Sequence, residues 1–227
     1  MGGRIFSSSG ERLREVFHGE LEQLGRELTG MCELAAESIG LANRALLEAD
    51  LTAAEQVLYD DVRLDDSGRR CEEHASTLLA LQAPVATELR TVLATIYCAV
   101  KLERMGDLAA HIAEITRRAH PDPVLPPGMV EDFRTMGELA ERMAGRLAEL
   151  VAGDSTEGCF AELRRSDDVV DEVHARVLRT LTSRDWPHGV QTAVNLALVA
   201  RFYERLADQA VSVSRRLEFA ATGVIPE

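Results

Sequence analysis

Apolar residues recur every three to four positions along almost the whole chain. That spacing gathers them on one face of an α-helix and does not fit the alternation of a strand. In the stretch KLERMGDLAAHIAEIT, Leu102, Met105, Ala109, Ile112 and Thr116 fall on one seam, while Glu103, Asp107, His111 and Glu114 fall on the far side. Nearer the C-terminus, Val199, Phe202, Leu206, Ala210 and Val213 form a second seam, with Glu204 and Asp208 opposite it. The periodicity predicts helices over about residues 11–48, 51–80, 84–119, 128–152, 156–182 and 188–220. The breaks have local causes. Asp50-Leu51-Thr52 offers N-caps, Pro84 suits a first helical turn, Gly153-Asp154-Ser155 reads as a tight turn, and Pro187 opens a new segment.

The strongest punctuation is HPDPVLPPG, residues 120–128, which holds four of the seven prolines. Proline lacks the N–H and clashes with the preceding turn, so no helix runs through this segment. It divides the chain into residues 1–120, a Pro-rich linker 121–127, and residues 128–227, each half with three helices and connections short enough to force antiparallel neighbours. The expected fold is all-α: two tandem antiparallel three-helix bundles.

The halves repeat. Asp61 and Asp65 in YDDVRLDD match Asp167 and Asp171 in RSDDVVDE at an offset of 106; Glu103 and Asp107 match Glu204 and Asp208 at an offset of 101. The LALQAP segment of the first half accounts for the difference. Four features in one order point to a duplicated unit.

Composition narrows the function. Ala, Leu, Glu and Arg dominate and aromatics are 4%, which favours helices. A formal charge of −13 argues against a general nucleic-acid binder and weakly against an anionic membrane surface. Cys32, Cys71, Cys98 and Cys159 form no C-x-x-C, so reduced cysteines on helix faces are expected. No signal-peptide core and no 18-residue apolar run is present, so the expected location is cytoplasmic with no direct membrane insertion. Neither a phosphate-cradling G-x-x-x-x-G-K-S/T loop nor a G-x-S-x-G elbow occurs, and the chain is read as no enzyme. No clustered basic residues mark an anion pocket. Ser7-Ser8-Ser9-Gly10 reads as a frayed leader, and Trp186 as a cover for one bundle end.

Residues four apart stack on one helix face with Cβ atoms about 6 Å apart. Like charges so placed repel, so the pairs gain nothing for the helix alone. Two adjacent helices, each presenting two carboxylates, can gather hard oxygen donors suited to Fe(III), Mn, Mg or Ca; a nearby imidazole admits Zn or Ni. Two other readings stay open. One is a carboxylate-bridged di-metal oxidase or storage bundle using Glu15-x-x-His18 and Asp171-x-x-His174. The other is a metal-free helical adaptor for protein partners, whose faces include the acidic helices and RRAHPDPVLPPG, residues 117–128.

Over residues 11–220 the chain resembles the PhoU family, in the phrases LERMGDLAAHIAE and FYERLADQAVSVSR and in LLALQAPVATELR. The resemblance implies a cytoplasmic negative regulator of phosphate uptake and starvation signalling. It would act on the ATPase subunit of a phosphate ABC importer and on a sensor histidine kinase, with homodimers common. It also implies metal ligands Asp61, Asp65, Glu103 and Asp107 in the first half and Asp167, Asp171, Glu204 and Asp208 in the second, for Fe, Zn, Mn or Mg. The family's usual His is here Leu108 and Gln209, and its usual Asn is His111 and Ser212. Arg215 stands where the first phrase has Glu114 and projects toward the stripe of Glu204, so the first half is expected to bind metal better than the second.

Overall fold

Helix α1 (Ile5–Glu48) is followed by α2 (Leu51–Leu81), α3 (Thr87–Ala119), a 3-10 turn (Pro127–Met129), α4 (Val130–Ala152), α5 (Cys159–Leu181) and α6 (Gly189–Thr222). The computed structural model describes residues 5–81 and 84–227, with side chains from Arg14 onward. The predicted leader around Ser7–Gly10 is instead helical backbone continuous with α1. Asp50 caps α2, its Oδ1 accepting from the Ala53 N–H at 3.0 Å. Pro84 does not open α3. Ala86 takes a positive φ of 48°, which breaks the helical run, and α3 starts at Thr87. Gly153, at φ 126°, ends α4 as the turn residues predict.

Each consecutive trio packs as an antiparallel bundle, and the two bundles lie side by side through α1 against α4 and α3 against α6. Antiparallel pairing across these contacts is fixed by Asn43 beside Glu141 and Gly137, and by Arg90, whose Nε donates to the Ala220 carbonyl. Helices α1, α3, α4 and α6 therefore form the middle of the molecule, with α2 and α5 on opposite flanks. One continuous cluster of buried side chains runs through both halves, including Leu46, Leu102, Met105, Ile112, Met136 and Leu147. Its largest member is Tyr203, whose hydroxyl donates to Asn43 Oδ1 at 2.7 Å and so ties α6 to α1.

The α3 seam is buried as predicted. On α6 the seam is wider, because this helix packs against α3, α4 and α5 together. Phe202, placed on the seam by projection, is half-buried at its edge and meets His111 edge-on at 5.1 Å. Segment 117–128 is only partly exposed: Val124, Leu125 and Pro126 turn inward, while Arg117 and Arg118 both pair with Glu114. Trp186 packs against the core at the end of α5 and α6, and its Nε1 donates to the Gly189 carbonyl. All four cysteines are free and buried. Among the described residues, no helix is long and apolar enough to cross a membrane.

Candidate metal centre

Asp61 and Asp65 stand one turn apart on α2, and Asp107 faces them from antiparallel α3. Each offers a carboxylate oxygen, and these three oxygens lie within 4.8 Å of one another. Two glycines permit this approach. A Cβ on Gly106 would stand 2.6 Å from Leu64 Cδ2 and 3.2 Å from Asp61 Oδ1; one on Gly68 would stand against the Glu103 carboxylate. Close helix contact thus brings the acids together, where the i, i+4 spacing alone only aligns them.

The electrostatics are those of an anionic site without enough positive charge. Burial, then Asp65 and Asp107, push the Asp61 carboxyl up to about 6, with His111 opposing. Asp65 and Glu103 are raised as well, mainly by burial. Asp61 Oδ1 is buried with no hydrogen-bond partner. Its neighbour Asp60, also buried, is satisfied by Gln56 and Arg63. A buried carboxylate oxygen without a partner is costly, and a cation among three carboxylates would remove that cost. Arg104 pairs with Asp107 at 3.2 Å, and Arg69 opposes the rise of Asp65 and Glu103 without cancelling it. The donors are all hard oxygens, two of them half-buried and one exposed, which fits a partly hydrated Mg, Mn or Fe ion.

Of the four positions predicted in the first half, the structure brings together Asp61, Asp65 and Asp107. Glu103 leans toward Gly68 and feels Glu72 before Asp65 and Asp107. Glu72, one turn beyond Gly68, is an acidic neighbour that sequence reasoning missed.

The second half gathers its acids more loosely. Burial, then Asp171 and Asp208, push Asp167 up to about 6, and its Oδ1 is likewise buried without a partner. Yet no three oxygens of Asp167, Asp171, Glu204 and Asp208 approach within 4.8 Å among the described residues. Asp171 and Asp208 are exposed. Glu204 is raised chiefly by burial, with Asp208 adding to the rise and Arg201 and His174 opposing it. It is in ion-pair contact with Arg201, though not in hydrogen-bonding alignment. The expected neutralising residue was Arg215. That side chain instead lies over the Phe160 ring, 5.5 Å from its centroid. Arg201, three residues before Glu204 and one turn away, supplies the charge. The alternative di-metal pattern does not assemble among the described residues: Glu15 and His18 stand exposed on α1, and the converging trio is all aspartate.

Comparison with known proteins places this chain in a family. The PhoU domain model matches twice, over residues 28–116 and 133–217. A phosphate-specific transport system accessory protein, PhoU homolog 1 of Mycobacterium leprae (strain TN), is 42% identical over 215 residues, covering 95% of this chain and 96% of that protein. PhoU homolog 2 of Mycobacterium tuberculosis (strain ATCC 25618 / H37Rv) is also 42% identical, over 94% of this chain and 100% of its own length. The crystal structure of PhoU from Pseudomonas aeruginosa aligns with a TM-score of 0.85 at 25% identity, covering 92% of this chain and all of that one. With two matched domains and relatives of this identity over nearly the whole length, the chain belongs to the PhoU family.

Proposed function

We propose that this protein is an accessory regulator of a phosphate-specific transport system. In this role it acts in the cytoplasm as a negative regulator, restraining uptake through the ATPase subunit of an ABC importer and holding a sensor histidine kinase inactive when phosphate is plentiful. The reading is supported by near full-length likeness to proteins named as accessory to such a system, at 42% identity. Deleting the gene in the native host tests it. Phosphate uptake rises and starvation genes are expressed in phosphate-rich medium; unchanged uptake and expression would overturn the assignment.

Within this role, Asp61, Asp65 and Asp107 hold a divalent or trivalent cation, with Glu103 able to swing in from beside Gly68. The ion supplies positive charge that cross-links α2 and α3; the chain performs no reaction with it. The second half, where Arg201 already faces Glu204, works with less metal or none. Elemental analysis of untagged protein, followed by chelation, tests the cation. Copurifying Fe, Zn or Mn whose removal lowers Tm is the expected result. Metal-free protein whose Tm ignores added Mn or Fe would favour the metal-free adaptor, with regulation untouched.

A further inference from the structure

Sequence reading found no basic cluster, but the fold assembles one between α3 and α6. Arg216 on α6 faces Tyr97 on α3, Arg215 beside it borders the same cleft, and the chain's only lysine, Lys101, lies one turn further along α3. Arg216 stacks over the Tyr97 ring at 4.3 Å from its centroid, Lys101 approaches the same ring at 5.4 Å, and Arg215 lies over Phe160 at 5.5 Å. Stacking orients a guanidinium while leaving its N–H donors free for an anion. Among the described residues, none of these three cations is paired with a carboxylate. Seventeen ion pairs form among the described residues, in a chain where acids outnumber bases 38 to 25. Two of these unpaired charges, Arg215 and Arg216, line one cleft together.

The cleft has a volume of about 400 Å³ and is lined by Tyr97, Ser212, Arg215, Arg216, Phe219 and Ile225. That is within the range of small-molecule sites, roughly 300–1,000 Å³, and is larger than inorganic phosphate requires. One end offers two guanidinium groups and a hydroxyl, the set that grips a phosphate with paired hydrogen bonds. The other end offers the apolar side chains of Phe219 and Ile225. We propose that the α3–α6 cleft binds an organic phosphate, a phosphate group carried on a flat aromatic body, of the nucleotide class. The phosphate meets Arg215, Arg216 and Ser212, and the base rests against Phe219. This site is separate from the acidic groove and from the cation assigned to it.

Calorimetric titration of the full-length protein in EDTA with AMP, ATP and inorganic phosphate at matched ionic strength tests the proposal. EDTA keeps the acidic groove out of the readout. Saturable nucleotide binding is expected, with inorganic phosphate at least tenfold weaker. Arg215→Ala, at an exposed side chain, weakens AMP or ATP at least tenfold with helical circular dichroism unchanged; Phe219→Ala weakens nucleotide but not phosphate. Absence of saturable heat with AMP and ATP overturns the proposal, as does affinity unchanged by Arg215→Ala. Phosphate binding as tightly as nucleotide would reduce the cleft to an anion site, and a phosphopeptide binding more tightly than either nucleotide would assign it to a protein partner; both outcomes overturn it.

Discussion

The α2–α3 groove and the α5–α6 groove carry the same four acidic positions, yet three oxygens converge only in the first. Transferring the offsets of the repeat to the surrounding residues accounts for this. Gly68 and Gly106, which let α2 and α3 approach, correspond to His174 and Ala207. The second pair of helices thus carries side-chain volume where the first carries none. Arg201, which faces Glu204, corresponds to exposed Val100, so the first groove lacks the matching cation. Duplication preserved the acids in both copies. The small residue and the counter-charge beside them differ, and so does how closely the acids converge.

The comparison breaks most visibly at the ligands. Asp107→Asn is expected to weaken Mn or Fe binding by on the order of tenfold or more, while Asp208→Asn changes total binding less than threefold. Calorimetric titration of the full chain measures both, and equal losses would erase the distinction between the grooves. Next comes helix approach. Gly106→Ala drives a methyl against buried Leu64 and Asp61 and should cost about 1–2 kcal/mol in denaturant melts, overpacking outweighing the better helix propensity of Ala. Gly68→Ala meets the Glu103 side chain from Cγ outward, a flexible chain that can turn away from the helix contact, so its stability stays level or rises. A reversed order would mean that α2 and α3 are not held at van der Waals contact near Gly106.

A smaller effect follows from proton binding. Folded Asp61 takes up a proton near pH 6, whereas an unfolded aspartate does so near 4, so stability tied to this group is present at low pH and is lost as pH rises between those values. Asp61→Asn should therefore raise the Tm of metal-free protein at pH 7 and leave it unchanged near pH 4. An increase of the same size at both pH values would assign the gain to something other than charge. The smallest expected change is at the second groove. Arg201→Val, which copies the first half, should raise its metal affinity severalfold by removing the competing cation. No change there would make spacing, set by Ala207 and His174, the sole cause.

Much of this was legible in the letters. Helix positions came from the apolar period, the buried seam of α3 from its projection, and the halves from four prolines in nine residues. The paired motifs were visible because a repeat preserves order and spacing. Sequence reasoning went wrong where a residue answers to more than its own helix. Phe202 sits at an edge because α6 faces three neighbours, Arg215 reaches Phe160 and not Glu204, and Pro84 precedes a break at Ala86. A signal for the tighter groove did exist: ERMGD against ERLAD differs by one methyl at the position that faces the partner helix.

By itself the sequence determined which residues would be helical, which face of each helix would be acidic, and that the unit occurs twice, because these depend on neighbours within one or two turns. Only the tertiary structure decided that Asp61, Asp65 and Asp107 meet, that Tyr203 joins α6 to Asn43, and that Arg215, Arg216 and Tyr97 share a cleft. Those meetings depend on how closely and at what register separate helices pack, which is set by side-chain volume summed over whole interfaces.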